Sequence, residues 1–185
     1  TTNTGALIGP SVGIQNSEGT IYFSMVFGNS HWLYWSHDYG KTYTASTPVS
    51  GMGECSIAFL VDKVDGRIIM SCRTTRQERA QIIWSKEGVP GEITYPGIID
   101  PRCQGSIVND GTGTLYLSNA NSTTSRSNMV VRKSTDQGLS WDQGVLVFSG
   151  PAAYSQLVPF PTEAKKLGLL FETTNSDIVF TTIKL

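Results

Sequence analysis

The sequence predicts an all-β fold made of a repeated antiparallel unit, and three observations carry that reading. Short alternating apolar segments bounded by Gly, Asn, Asp and Ser run through all 185 residues, with no long stretch of 3.6-residue period to compete. A turn marker recurs. Ser36-His37-Asp38-Tyr39-Gly40-Lys41-Thr42-Tyr43 matches Ser134-Thr135-Asp136-Gln137-Gly138-Leu139-Ser140-Trp141, and Ser85-Lys86-Glu87-Gly88 is a degraded copy midway, 49 residues from each. A glycine-led strand recurs beside it. Gly19-Thr20-Ile21-Tyr22, Gly66-Arg67-Ile68-Ile69 and Gly113-Thr114-Leu115-Tyr116 begin 47 residues apart, with a weaker fourth copy at Leu167-Gly168-Leu169-Leu170.

Two ladders of nearly one period mean a repeated supersecondary unit, and about 40–50 residues of strands per unit is the spacing of β-propeller blades. Each unit is expected to run strand, glycine-led strand, strand, marker turn, strand. The first unit holds Gly19 and the turn at Ser36, the second Gly66 and the turn at Ser85, the third Gly113 and the turn at Ser134. The copy at Leu167 begins a fourth. Within the marker, Asp accepts backbone N–H bonds across the turn, Gly supplies a positive φ, and the hydroxyl and terminal aromatic fasten the turn to its strands. Asp38 and Asp136 are therefore read as structural carboxylates rather than catalytic acids. Residues 1–185 are expected to form about four antiparallel four-stranded blades with no internal domain boundary.

Composition narrows the function. The net charge of −1, without a Lys/Arg run, argues against a nucleic-acid partner. No stretch approaches the roughly 18 apolar residues of a membrane helix, and Thr1-Thr2-Asn3-Thr4-Gly5 does not read as a signal peptide. With two histidines and three cysteines, none in a CxxC arrangement, neither a metal site nor a cofactor is expected. Cys55, Cys72 and Cys103 are expected as small buried thiols in strands.

The residues that could carry chemistry are few. Tyr154 follows the small-residue turn Gly150-Pro151-Ala152-Ala153, Glu54 lies in Gly53-Glu54-Cys55, and Arg73 and Arg126 each lie beside a repeat element. Taken singly these are weak signals, since a tyrosine at a strand start usually packs its ring on the core.

Their context is stronger. Gly9-Pro10-Ser11-Val12-Gly13-Ile14-Gln15, Gly53-Glu54-Cys55, Ser71-Cys72-Arg73, Asp100-Pro101-Arg102-Cys103-Gln104-Gly105-Ser106, Arg126-Ser127-Asn128, Pro151 to Leu157, and Leu170-Phe171-Glu172 follow one another as in sialidases, the exo-α-sialidase family. The turn marker resembles that family's Asp box. The resemblance covers nearly the whole chain and implies the C-terminal part of a six-bladed catalytic propeller. It implies a sialylated glycan substrate, Tyr154 as nucleophile, Glu54 as the base that takes its proton, Arg73 and Arg126 on the substrate carboxylate, and Glu172 supporting the arginines. A carboxylate nucleophile would meet the like charge borne on the anomeric carbon of sialic acid, whereas a phenol does not. The guanidinium groups are expected to stabilise phenolate character. Arg76, Arg79 and Arg102 are expected as surface or supporting charges.

The family's third arginine and its aspartate acid precede the segment that begins at Gly9, so they are expected elsewhere. The missing blades are expected on a second polypeptide, or the chain is an excised piece, or it closes as a non-catalytic propeller that binds acidic sugars. A secreted or extracellular setting is expected, with lysosomal and cytoplasmic settings left open.

Overall fold

The computed structural model describes residues 5–61, 65–160, 166–173 and 177–184. Among these every regular element is a strand. The first sheet contains β1 (Ala6–Ile8), β2 (Ile14–Gln15), β3 (Ile21–Phe27), β4 (Ser30–Ser36), β5 (Thr44–Ala45) and β6 (Val49–Ser50). Next come β7 (Cys55–Phe59), β8 (Ile68–Cys72) and β9 (Ala80–Trp84), antiparallel and in chain order. The third sheet is β10 (Ser106–Asn109), β11 (Leu115–Ala120), β12 (Ser127–Ser134), β13 (Val145–Pro159), β14 (Lys166–Thr173) and β15 (Ile178–Lys184). Within it β13 changes partner along its length: residues up to Pro151 pair with β12, and those from Ala152 onward with β14.

The two sequence ladders lie at equivalent places. Gly19, Gly66 and Gly113 all have positive φ and precede β3, β8 and β11 respectively. The fourth copy differs, because Gly168 lies inside β14, where it pairs with Val158 and Thr182. Marker turns follow β4, β9 and β12. Their glycines are needed twice over. Gly88 and Gly138 have φ of 74° and 83°, and a Cβ there would lie 2.5 Å from Trp35 and 2.6 Å from Ile69. The turns at Gly88 and Gly138 are thus pressed onto the preceding sheet, where no other side chain fits.

The alternation expected of half-buried strands holds in β3 and β4, but β7, β8 and β11 are buried throughout. Face-to-face packing explains this. Ile57, Phe59, Ile68 and Met70 pack against Tyr22, Leu33 and Trp35, while Ala58 and Ile69 turn the other way onto Ile107, Leu115 and Leu117. Val108, Tyr116, Met129 and Val131 then meet Leu157, Leu167, Leu169 and Phe171. A central sheet has no solvent face, so its strands are apolar on both sides.

Among the described residues two buried side chains keep polar atoms without a hydrogen-bond partner, Trp84 at its indole N–H and His31. His31 is fully buried, and neither ring nitrogen has a partner among the described residues. Burial pushes its pKa down to about 4, opposed by the nearby backbone of Met52. The unfolded chain binds this proton below about pH 6.5 and the folded chain does not, so folding stability falls as pH drops from 6.5 to about 4. The loss expected from His31 is about 3 kcal/mol. Urea unfolding across that window should show the slope, and His31→Phe should flatten it.

Candidate active site

Strand register assembles the first half of the site. Cys55 pairs with Cys72 in the antiparallel β7–β8 ladder, which sets Glu54 beside Arg73 at the strand ends. Their backbones are tied by Gly53 N–H donating to Arg73 O at 2.7 Å and Arg73 N–H donating to Glu54 O at 2.9 Å. The side chains then meet, with Arg73 Nη1 donating to Glu54 Oε2 at 2.9 Å. Directly beneath, Cys55 and Cys72 form a disulfide across a sequence separation of 17. This corrects the reading of all three cysteines as thiols. Only Cys103 is free, and burial raises its pKa to about 11, which leaves it protonated and unreactive. The pairing depends on register, which spacing in the sequence does not supply.

A β-bulge presents the second half. The β13–β14 pairing runs from Ala152 opposite Thr173 to Ser155 opposite Phe171, so Ala153 and Tyr154 together face Glu172. The extra residue loses its ladder bonds and turns its side chain out of the pleat. Tyr154 N–H donates instead to Glu172 Oε2 at 3.1 Å. The Tyr154 hydroxyl donates to Glu54 Oε1, so one carboxylate lies between the phenol and the Arg73 guanidinium. Arg126, on the loop between β11 and β12, is anchored by its carbonyl to Ala152 N–H at 2.9 Å. Its guanidinium lies 5.6 Å from the Tyr154 ring centroid and has no hydrogen-bond or ion-pair partner among the described residues. Tyr154, Glu54, Arg73, Arg126 and Glu172 therefore come together in one place.

The electrostatics differ from expectation at the phenol. Burial, and then the hydrogen bond and charge of Glu54, push the Tyr154 pKa up to about 12, outweighing the opposing Arg73. The resting group is a neutral phenol holding its proton toward a base. A cleft of about 350 Å³ opens beside it, reached by Pro10, Ser11, Gln104, Tyr154 and Glu172. Its lining omits Glu54, Arg73 and Arg126.

Asp38 and Asp136 lie in their turns. Asp38 accepts from Ser36, from Thr42 N–H and from the Thr42 hydroxyl; Asp136 does the same with Ser134 and Ser140. These bonds, led by those from Thr42 and Ser140, pull both carboxyl pKa values down to about 2. Arg76 is exposed and stacks over Tyr95 at 4.3 Å, and Arg102 is exposed. Arg79 is not a surface charge. It is fully buried and ion-paired with buried Asp100 at 2.9 Å, a burial that a charged residue tolerates only when paired. Sequence reading assigned no role to Asp100 or Gln104, although both belong to a distinctive segment of the resemblance. Among the described residues no group of three His, Cys, Asp or Glu side chains could hold a metal ion, and no helix is long and apolar enough to cross a membrane.

A family model described as a BNR repeat-like domain matches residues 1–163. The chain belongs to the BNR repeat-like domain family. This BNR-repeat chain is 23% identical to a sialidase of Bacteroides fragilis over 97% of its own length and 36% of the relative's. It is 30% identical to a sialidase of Micromonospora viridifaciens over 75% of its length and 23% of that protein's. Among solved structures it superposes on a Hadza microbial sialidase with a TM-score of 0.82 at 24% identity, covering 97% of the BNR-repeat chain and 38% of the other. The fold is therefore that of a sialidase β-propeller, and the resemblance read from the ordered segments is borne out. The BNR-repeat chain spans roughly a quarter to a third of the length of the curated relatives it matches.

The disulfide gives a direct test. Alkylation of the unfolded protein should modify one thiol without reductant and three after reduction. Removing the cross-link with Cys55→Ser and Cys72→Ser should lower stability by about 3 kcal/mol, as expected for a loop of this length.

Proposed function

We propose that this chain carries most of the active site of an exo-sialidase, which releases terminal sialic acid with retention through a covalent sialyl-tyrosine. The observation that supports it most is the Tyr154 hydroxyl donating to a carboxylate already ion-paired to Arg73. The curated relatives named sialidase support the same reading.

In this reading the substrate carboxylate is held by Arg126, whose guanidinium is unpaired among the described residues, and by the exposed part of Arg73. A planar fork of donors suits that task better than a lysine. Tyr154 Oη attacks the anomeric carbon while its proton passes to Glu54, and the glycosidic oxygen leaves with a proton from an acid. A phenol with a raised pKa cannot attack as a free phenolate at neutral pH, so proton transfer accompanies bond formation. Water then attacks the same carbon and gives a proton to the conjugate base of that acid, the Tyr154–sugar bond breaks, and the phenol recovers its proton from Glu54. Two inversions give retention. In this reading the acid and a third arginine are supplied by N-terminal blades, on another chain or a missing segment. The buried disulfide favours an extracytoplasmic setting.

Kinetics of the complete assembly on an aryl sialoside test this. Tyr154→Phe should lower kcat by about 10³-fold or more with folding intact, and Glu54→Gln by about 10²–10⁴-fold. Arg126→Lys should reduce kcat/KM by about tenfold or more, the loss of a charge-assisted bond. Parental turnover in Tyr154→Phe would exclude the tyrosine mechanism.

A further inference from the structure

The bulge that presents Tyr154 raises a problem of backbone support. Among the described residues, β13 from Ala152 onward has β14 on one side and no strand on the other. An unpaired, buried N–H or C=O must find another partner. Ser155, the residue after the tyrosine, is buried, and both its backbone groups are taken by one side chain. Gln104 Oε1 accepts from Ser155 N–H at 2.8 Å, and Gln104 Nε2 donates to Ser155 O at 3.0 Å. The same Nε2 donates to Pro10 O at 3.0 Å. The amide therefore makes three bonds at 2% exposure, in a site cut to its shape.

Gln104 is in turn held from below. Asp100 Oδ1 accepts from Cys103 N–H at 2.7 Å, and Arg79 Nη1 donates to both Asp100 Oδ2 and Cys103 O, at 2.9 and 3.0 Å. Arg79 also reaches the strand that carries Arg73. Its Nε donates to Ser71 Oγ at 3.0 Å and its Nη2 to Ser71 O at 3.2 Å, two residues before Arg73. Asn119 adds a further donor to Asp100. Space enforces the arrangement, since a Cβ on Gly105 would lie 2.9 Å from the guanidinium.

We propose that Gln104 is a positioning residue for Tyr154, and that the buried Arg79–Asp100 pair beneath it sets the Tyr154 and Arg73 strands in one rigid relation. The proposal rests on the reading of Tyr154 as nucleophile. The amide replaces the ladder bonds that the free edge lacks, so the ring stays aimed at Glu54 through the bulge.

Gln104→Asn keeps the amide and shortens its reach by one methylene. The expected result on an aryl sialoside is a kcat lower by about 10–100-fold, the cost of an ångström-scale misplacement. KM should stay within about threefold, because Arg73 and Arg126 still hold the carboxylate. Should that variant not fold, Gln104→Glu carries the same test. It keeps the side-chain length and the acceptor for Ser155 N–H, loses both Nε2 bonds, and should show the same kcat loss. A kcat equal to the parent's, or a loss confined to KM, overturns the proposal. A crystal structure of the folded variant decides independently of turnover. Tyr154 Oη is expected to move beyond about 3.5 Å from Glu54, and an unmoved ring overturns the positioning role. A complete parent assembly without turnover overturns the functional reading, and that crystal structure still judges the role of Gln104.

Discussion

The constraint on which the rest depends is the free edge of the leading strands. Among the described residues, β7, β10 and the second half of β13 each have a strand neighbour on one side only. Side chains from adjoining sheets fill the other side. Ser24 Oγ donates to Cys55 O, Ser56 Oγ accepts from Ile107 N–H, and Ser106 Oγ accepts from Leu157 N–H. The last two bonds each span 51 residues, so they repeat with the fold itself. Asn109 adds donors to the carbonyls of Phe59 and Val61. These pegs prevent a bare edge from recruiting a foreign strand. They also fix the separate sheets relative to one another, which apolar packing alone, being non-directional, does less sharply. Glu54 and Tyr154 are 100 residues apart in sequence and belong to different sheets, and they meet because these edges are stitched.

The chemistry follows from what that fixed geometry does to charge. Glu54 is shared between a cation and a neutral donor, with a side chain 15% exposed. Its negative charge is balanced by Arg73, yet it raises the phenol pKa rather than lowering it. The arrangement suits a base that receives a proton at the moment of attack. It suits poorly a pre-formed phenolate, which would repel the carboxylate beside it. Arg126, near the Tyr154 ring and without a hydrogen-bond or ion-pair partner among the described residues, suits one further negative group.

Much of this was legible in the sequence, for physical reasons. A repeat imposes the same backbone demand at each copy, so glycines at positive φ and the Asp turns stand out as ladders. Tyr154, Glu54, Arg73 and Arg126 were singled out by type and by context, and the structure gathers them. What escaped depended on pairings that spacing does not encode. Arg79 reads as a surface or supporting charge, because nothing in the sequence pairs it with Asp100, 21 residues on, which is buried with it. The Cys55–Cys72 cross-link required the register of one hairpin, and the bulge at Tyr154 required the register of another. The pKa of the phenol turned on a balance between burial, Glu54 and Arg73, which residue types alone do not rank.

The most direct measurement is to trap the intermediate. A 3-fluorosialosyl fluoride, whose electron-withdrawing fluorine slows the second step more than the first, should leave the sugar on the enzyme for peptide mass spectrometry. An adduct on the peptide carrying Tyr154, absent from Tyr154→Phe, is the expected result. Turnover with no adduct at Tyr154, or with the sugar on Glu54, would contradict the assignment of the tyrosine as nucleophile.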